Sequence, residues 1–223
     1  MTGFFIAGTD TDVGKTRITA GLLHVLASRG YTTVAMKPVS AGCHLTAHGL
    51  RNEDALILQH HATLALPYAH VNPYAYAAAI APHIAAEQTG QSIDITHIRK
   101  IFDDMTPRVD YVLVEGAGGW RVPINGHETM ADIAQALALP VILVVGMRLG
   151  CLNHALLSVE SIAHAGLPLA GWVANERFTG VAVLQHNIDA LRARINAPLL
   201  GVVPYLENID AESVGRYLEL QPR

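Results

Sequence analysis

Residues 4–19 read Phe-Phe-Ile-Ala-Gly-Thr-Asp-Thr-Asp-Val-Gly-Lys-Thr-Arg-Ile-Thr, and this stretch decides the fold. A short apolar run ends at Gly8, a polar turn follows, and Gly14-Lys15-Thr16 stands where a helix would begin. A strand, a glycine-flanked loop and Gly-Lys-Thr before a helix are typical of a phosphate-binding P-loop. In such loops backbone N–H groups and the helix N-terminus attract phosphate oxygens, the lysine reaches the terminal phosphates and the threonine binds Mg²⁺.

The glycine spacing departs from the usual P-loop pattern, which places four residues between its two glycines. Here five residues separate Gly8 from Gly14, and Thr9 stands at the usual glycine position. The alternative is an ordinary strand-to-helix turn with an exposed lysine, but the flanking strand and helix favour nucleotide binding. Two acids in the loop, Asp10 and Asp12, are either turn formers or partners for a positively charged group such as an amine.

The composition of the 223-residue chain suits one α/β domain that spans residues 1–223. Hydrophobic residues make up 51% and charged residues 15%, as expected of a parallel sheet covered on both faces. The formal net charge of −4 offers no basic field for nucleic acid or for an acidic membrane. The two cysteines form no disulfide framework and fit a reducing compartment. We therefore expect a cytoplasmic protein without a signal peptide or membrane span.

Apolar periods predict strands that alternate with helices, which implies right-handed crossovers and a parallel sheet. Strands are expected at residues 3–8, 32–36, 111–115, 140–146, 169–174 and 199–203. Helices are expected at residues 15–29, 52–61, 95–105, 129–138, 152–165, 181–195 and 211–220, with a short one after Pro82. Residues 40–51 are predicted to form a loop, and residues 64–81 a long irregular connection.

Polar side chains follow several predicted strands, at the edge where ligands of such sheets bind. Lys37 follows the second strand and is restrained by Pro38, so its amine would stabilise charge on a transferring phosphoryl group. The alternative for Lys37 is a surface lysine. Glu115 ends the third strand, before Gly-Ala-Gly-Gly, and would hold Mg²⁺ or its water shell. Asp54 is either a second oxygen donor or simply a helix cap.

Blocks along nearly the whole chain resemble dethiobiotin synthetases, ATP-dependent enzymes that close the ureido ring in biotin synthesis. The most specific blocks are Glu-Gly-Ala-Gly-Gly at residues 115–119 and Leu-Gly-Cys-Leu-Asn-His at residues 149–154. Further matching blocks stand at residues 8–16, 37–39, 51–56, 71–74 and 171–175. The resemblance implies a single-domain P-loop fold with about seven strands in a mostly parallel sheet, helices on both faces, and a homodimer with active sites at the subunit interface.

The resemblance also implies a reaction. From 7,8-diaminononanoate, CO₂ or bicarbonate, and ATP as co-substrate, the enzyme would form dethiobiotin, ADP and phosphate. The route would pass through a carbamate and a carbamic-phosphoric anhydride, with Mg²⁺ as cofactor. Phosphoryl transfer requires mainly that the reactants are positioned and that the charge on the phosphoryl group is neutralised. Two lysines, a P-loop and Mg²⁺ would do both.

By position, the resemblance assigns the site residues. Catalytic roles fall to Thr11, Lys15 and Lys37, and the Mg²⁺ ligands would be Thr16, Asp54 and Glu115. ATP contacts are expected from Asp12, Val13, Gly14, Lys15, Thr16, Arg17, Asp54, Glu115, Gly116, Ala117, Gly118, Asn175, Glu176, Pro204, Tyr205, Leu206 and Asp210. Substrate contacts are expected from Asp12, Lys37, Ser40, Ala41, Leu149, Gly150, Cys151 and Asn153, with the segment 149–153 reaching the substrate carboxylate across the dimer interface.

The chain departs from the family pattern at a few of these positions. The family often has Glu where this chain has Asp12, and a substrate-contacting Ser where this chain has Ala41. Either Ser40 takes over that contact or the contact is lost. Asp210 is the candidate for the acid near the ribose.

Other functions for a P-loop chain are a nucleotide-driven switch or partitioning ATPase, a related ligase, and a simple nucleotide-binding module. Partitioning ATPases often place a lysine at the position of Asp10, so the acid argues against them. Related ligases such as cobyrinate synthases carry a glutaminase domain, for which 223 residues leave no room. Lys37 and the glycines of residues 116–119 make a simple binding module the weaker interpretation.

Overall fold

A computed structural model describes residues 2–177, 183–207 and 210–220. Its strands are β1 (Thr2–Gly8), β2 (Thr33–Met36), β3 (Val39–Ser40), β4 (His44–Thr46), β5 (Gly49–Arg51), β6 (Tyr74–Ala75), β7 (Tyr111–Glu115), β8 (Val141–Gly146), β9 (Leu169–Asn175) and β10 (Leu199–Val203). The central sheet has the order β10-β9-β8-β1-β7-β2, and all of its neighbouring strands are parallel. The α/β fold is confirmed, with six strands in the described central sheet instead of about seven.

The helices are α1 (Lys15–Ser28), α2 (Glu53–His61), α3 (Tyr68–Val71), α4 (Pro82–Gln88), α5 (Ile95–Met105), α6 (Met130–Ala136), α7 (Cys151–His164), α8 (Leu184–Arg192) and α9 (Ala211–Gly215), with a 3-10 turn at Thr106–Arg108. Most predicted helices are confirmed to within about two residues. Part of the prediction for residues 181–195 lies outside the described residues. The helix predicted to reach residue 220 ends at Gly215, because Leu218 forms a bridge to Gly201 at the sheet edge. Across the described ranges, no helix is long and apolar enough to cross a bilayer.

Successive side chains of β1 point to opposite faces of the sheet, and both faces are covered. Phe4 and Ile6 pack with α1 and the residues around Val214, whereas Phe5 and Ala7 belong to the larger core on the opposite face. All four side chains are buried, so neither face of this strand meets solvent. The strand that carries the P-loop is therefore fixed from both sides.

Two segments contain more structure than the sequence indicated. Residues 40–51, predicted as a loop, include an antiparallel hairpin of β4 and β5. Its side chains are mostly exposed, so no apolar period marks the hairpin. Residues 64–81, predicted as irregular, contain the single-turn helix α3 and the strand β6, which pairs with β3. Both predictions were wrong because these elements are too short to leave a pattern.

The strand order brings together residues that are far apart in sequence. β7 lies between β1 and β2, with Glu115 beside Ile6 and Val114 beside Met36. All three strands are parallel, so their carboxyl ends meet at one edge of the sheet. Glu115 consequently lies between the P-loop, which follows β1, and Lys37, which follows β2.

Candidate active site

The irregular glycine spacing of the P-loop has a steric explanation. A Cβ atom on Gly8 would lie 2.9 Å from the Nζ atom of Lys15 and 2.8 Å from Val13, so the lysine needs glycine here to pass. Lys15 crosses the loop and donates to the carbonyl oxygen of Asp10 at 3.0 Å. Thr9 accepts a hydrogen bond from the N–H of Gly146 and ties the loop to β8. Gly8 therefore leaves space for the side chain of Lys15, and Thr9 attaches the loop to the sheet.

Gly14 begins the P-loop helix in the left-handed region, at a φ of 88°. A Cβ atom here would clash with the Nδ2 atom of Asn175, which donates to the carbonyl oxygen of Val13 at 2.7 Å. Asp12 also has a positive φ, of 58°. Left-handed residues in such a loop turn backbone N–H groups towards one side, as anion-binding loops require. The end of β9 thus holds the loop in the shape that phosphate binding needs.

Glu115 forms the centre of the site. Its side chain has no solvent exposure. One carboxylate oxygen accepts hydrogen bonds from Thr16 at 2.8 Å and Lys37 at 2.6 Å. The other lies 2.9 Å from the hydroxyl of Thr19, which can donate its single proton to this oxygen or to the carbonyl oxygen of Lys15, also at 2.9 Å. An unpaired buried carboxylate costs several kcal/mol, which explains why an ammonium and two hydroxyl groups surround it.

Lys37 joins two carboxylates. Its Nζ atom lies 2.6 Å from Glu115 and 3.0 Å from Asp54, whose side chain is 45% exposed. Burial alone would lower the pKa of Lys37, but the carboxylates of Glu115 and Asp54 outweigh burial and raise it above the ordinary lysine value. Burial is the largest single effect on Asp54 and would raise its pKa, but the charge and hydrogen bond of Lys37, the hydrogen bond of Thr16 and the charge of Lys15 together lower this pKa. At neutral pH Lys37 is therefore a fixed cation and not a proton acceptor.

A different balance of burial and charge sets the pKa of Lys15. Desolvation by burial is the largest effect and lowers its pKa to about 8, although the charge of Glu115 opposes the shift and that of Lys37 adds to it. The chain has only three lysines, and two of them lie beside Glu115. Such a concentration of cations at the end of a P-loop suits a phosphoryl group that gains charge.

A cleft of about 1180 Å³ opens over these groups. Most predicted site residues line it: Thr11, Asp12, Gly14, Lys15, Thr16, Arg17, Lys37, Ser40, Ala41, Asp54, Glu115, Ala117, Gly118 and Asp210. Asp210 also caps α9, where its side chain accepts from the N–H of Ser213 at 2.7 Å. Asn52, not Asp54, caps α2, so the carboxylate of Asp54 is not used as a helix cap. That outcome favours the oxygen-donor interpretation of Asp54.

Other predicted residues do not line the cleft. Val13 and Gly116 are buried, Asn175 is the last residue of β9, and Glu176 and residues 204–206 follow the strands β9 and β10. Leu149, Gly150, Cys151 and Asn153 lie at the start of α7, outside the cleft. Of these, Leu149 is fully exposed and Cys151 is buried. Asp10, which was expected to meet an amine or serve the turn, pairs with the guanidinium of Arg148 beside this segment.

Ser40 is already engaged within the protein. Its hydroxyl is buried and donates to the Oδ1 atom of Asn72 at 2.7 Å. The amide of Asn72 in turn donates to the carbonyl oxygen of Lys37 at 2.7 Å. A hydroxyl has one proton, so Ser40 has only acceptor capacity left for a substrate. Its contact to Asn72 helps to place the backbone of Lys37.

The residues predicted to hold Mg²⁺ have the types of ligand atom that this ion prefers. Thr16, Asp54 and Glu115 offer a hydroxyl and two carboxylates, the hard oxygen donors that Mg²⁺ prefers. Thr16 lies close enough to both acids to donate its single proton to either. In this structure Lys37 provides the positive charge between the two acids. Within the described ranges, no group of three or more His, Cys, Asp or Glu could hold a metal by itself, so substrate oxygens or water would complete the coordination.

Several residues of the site were missed in the sequence, among them Thr19 and Arg177. Thr19 contacts Glu115 and is fully buried, and Arg177 lines the cleft. Thr19 could have been found, because it lies three residues after Thr16 on the same helix face. Nothing in the sequence marks Arg177, whose position depends on how β9 meets the P-loop.

Known proteins show to which family this chain is related. A family model described as an AAA domain matches residues 2–213. The ATP-dependent dethiobiotin synthetase BioD of Cellvibrio japonicus is 54% identical over 219 residues, 98% of this chain and 96% of the relative. The protein of the same name from Pseudomonas aeruginosa PAO1 is 51% identical over 223 residues, 100% and 98% of the two chains.

Solved structures show the same fold at low identity. The MinC:MinD cell division protein complex of Aquifex aeolicus matches with a TM-score of 0.59 and 17% identity, over 96% of this chain and 86% of the other. The septum site-determining protein MinD complexed with Mg-ADP from Pyrococcus horikoshii matches with a TM-score of 0.54 and 18% identity, over 97% and 87%. At these identities the likeness concerns the fold alone.

The fold and the site define a P-loop nucleotide-binding protein. Identities of 51% and 54% over nearly whole chains define a narrower group within this class of proteins. The chain belongs to the ATP-dependent dethiobiotin synthetase family.

The contact between Thr19 and Glu115 predicts a loss of stability in Thr19→Val. Valine keeps the shape of threonine but leaves one oxygen of the buried carboxylate without this donor, so the free energy of unfolding should fall by about 1–3 kcal/mol. Thr19→Ser keeps the hydroxyl and should lose less. Urea denaturation of both variants measures the difference. If valine is tolerated as well as serine, the hydrogen bond does not support Glu115.

The lowered pKa of Lys15 predicts proton uptake when ATP binds. At pH 8.5 a lysine with a pKa of about 8 is mostly neutral, whereas bound phosphate favours its charged form. Binding at this pH should therefore take up about 0.7 proton per site. Calorimetry in buffers of different ionisation enthalpy measures the uptake. Lys100→Gln, on the exposed face of α5, should keep it, and Lys15→Arg should abolish it in any binding that remains; negligible uptake by the unaltered protein contradicts the assignment.

Proposed function

We propose that the groups around Glu115 carry out the individual steps of dethiobiotin formation. As a member of its family the chain is an ATP-dependent ligase that forms dethiobiotin in biotin biosynthesis. The finer proposal is that its substrates are 7,8-diaminononanoate, CO₂ or bicarbonate, and ATP. We further propose that residues 1–223 act as one domain and that the protein works in the cytoplasm.

The proposed reaction has three steps. One amine of the diamine adds to CO₂ and loses a proton, which gives a carbamate. A carbamate oxygen then attacks the γ-phosphorus of ATP, ADP leaves, and a carbamic-phosphoric anhydride forms. Finally the second amine attacks the carbonyl carbon, loses a proton and expels inorganic phosphate as the ureido ring closes.

The convergence of Lys15 and Lys37 beside the P-loop is the observation that carries this proposal. Lys37 stays protonated at neutral pH because two carboxylates raise its pKa. A fixed cation here would bind the carbamate and neutralise the charge that develops on the transferring oxygens. Lys15 would contact the β- and γ-phosphates, and Thr11, which lines the same cleft, would help to position the substrate.

We propose that Thr16, Asp54 and Glu115 hold Mg²⁺ while ATP is bound. The ion would neutralise the phosphate oxygens of ATP. Because Glu115 is buried and hydrogen-bonded on both oxygens, it would bind with little freedom to move. Asp54, at the exposed side of the cleft, would provide the adjustable donor.

The remaining predicted contacts are proposed in the same positions. The P-loop residues 12–17 and the glycine loop 116–118 would surround the phosphates. Asn175, Glu176 and the segment 204–206 would lie at the adenine, and Asp210 at the ribose. Asp12, Ser40 and Ala41 would lie near the diamine, and Ser40 also supports the backbone of Lys37 through Asn72.

The enzymatic proposal differs from a nucleotide-driven switch in one measurable respect. In a ring-closing enzyme, ADP release depends on the diamine, whereas a switch hydrolyses ATP without it. Incubation with diaminononanoate, bicarbonate and MgATP should yield ADP and the cyclic urea in equal amounts. If the rate of ADP release is the same with and without the diamine, the proposal is overturned.

Lys37→Gln tests the proposed role of the second lysine. Glutamine keeps a hydrogen-bond donor beside Glu115 but removes the charge, so kcat should fall by about 100-fold or more. ATP affinity should change by no more than about threefold, because the lost interaction belongs to the transition state. Lys100→Gln, the same substitution at the remaining lysine, is the control. An unchanged kcat in a folded Lys37→Gln protein removes this residue from the mechanism.

We also propose a homodimer in which each subunit completes the other's site. Leu149–Asn153 lies outside the cleft of its own chain, and Leu149 is fully exposed although it is apolar. The N-terminus of α7, which begins after the left-handed Gly150, suits a carboxylate. Asn153 would bind the substrate carboxylate in the partner's site.

Mixed dimers test this shared site. Lys15→Ala and Asn153→Ala should each be inactive with the diamine, but a heterodimer of the two retains one site with both residues intact. Random mixing should therefore restore about a quarter of the unaltered activity. Subunit exchange followed by the dethiobiotin assay measures the recovery. Activity that stays at the average of the two variants would show that each chain works alone.

A further inference from the structure

Arg17 and Arg177 form a pair of like charges at the start of the P-loop helix. Both line the active-site cleft. Arg177 packs against the loop, since its Cδ atom lies 3.2 Å from a Cβ atom built on Gly14. Burial lowers the pKa of Arg17, the charge of Arg177 lowers it further, and Tyr205 acts in the opposite direction. The two guanidinium groups therefore lie in one cleft, where their like charges disfavour each other.

This pair has no acid to balance it in the described part of the chain. Neither guanidinium makes an ion pair or a hydrogen bond there, and the Nε atom of Arg177 is buried without a partner. The residues outside the described ranges contribute no side-chain carboxylate, as the sequence shows. Arg148 provides a contrast, because it faces Asp10 across the loop. Two unbalanced arginines beside a helix N-terminus indicate an anionic ligand.

We propose that Arg177 is a further nucleotide-binding residue, which joins Arg17 in holding a phosphate that ATP and ADP share. This inference rests on the nucleotide-binding part of the proposed function. Lys15 and Thr16 point towards Glu115, where the transferred phosphate would lie. Arg177 instead lies beside Gly14, next to Asn175, and is not among the groups that donate to Glu115. The pair therefore acts on a phosphate that remains in the ADP product.

The assignment distinguishes binding from catalysis. A contact to a phosphate that does not react is equally strong in the ground state and the transition state, so it contributes to affinity and not to turnover. A planar guanidinium also gives two parallel hydrogen bonds to phosphate, which an ammonium cannot match. Arg177 is thus a binding residue whose loss should raise KM for ATP and leave kcat unchanged at saturation.

Calorimetric titrations with ATP, ADP and adenosine, without diamine, test the proposal. Arg177→Gln should weaken ATP and ADP binding by the same factor, about tenfold, and leave adenosine binding unchanged. Arg177→Lys should recover part of the loss. Arg194→Gln, which removes the same charge from an exposed position after α8, is the matched control and should change none of the affinities.

Each other result overturns the assignment. An equal loss for adenosine would place Arg177 at the nucleoside, and a loss for ATP alone would place it at the transferred phosphate. Unchanged affinities in a folded Arg177→Gln protein would remove it from the site. The proposed enzymatic function is judged separately by diamine-dependent ADP release from the unaltered protein, so the two ideas can fail independently.

Discussion

The rest of the site depends on the compensation of one buried charge. Glu115 has no solvent exposure, and its two oxygens are bound by Lys37, Thr16 and Thr19. Without these donors the ionised carboxylate would cost several kcal/mol. Each donor comes from an element that must be in place before the charge is balanced: α1 for the threonines and the end of β2 for the lysine. The geometry of the reaction centre and the stability of the fold are therefore linked.

This link explains why the two lysines of the site differ. Lys37 lies between two carboxylates, so its charge is strongly favoured, whereas burial dominates at Lys15 and lowers its pKa to about 8. A bound polyphosphate would supply to Lys15 the negative charge that Glu115 and Asp54 already supply to Lys37. In the free protein the charge of Lys37 is thus paired with acids of the fold, whereas the charge of Lys15 depends on a bound nucleotide.

The sequence predicted the central strands, the P-loop and the position of Glu115 at the end of its strand, because long apolar periods and glycine spacing are local signals. It did not predict the β4–β5 hairpin, whose exposed residues have no apolar period. It also did not predict the hydrogen bond from Ser40 in β3 to Asn72, which lies 32 residues further along the chain. The resemblance to the family implied about seven strands, and the described sheet has six. Arg177 was missed because its place at the loop depends on the packing of β9.

The sequence by itself determined the alternation of strands and helices, the identity of the loop and the family to which the chain belongs. Those properties depend on residue type and spacing within short windows. Only the tertiary structure decided that Thr19 supports Glu115, that Gly8 makes room for Lys15, and that Arg177 faces the same cleft as Arg17. The physical reason is that a parallel sheet orders its strands differently from the chain, so its site is made of neighbours that the sequence keeps far apart.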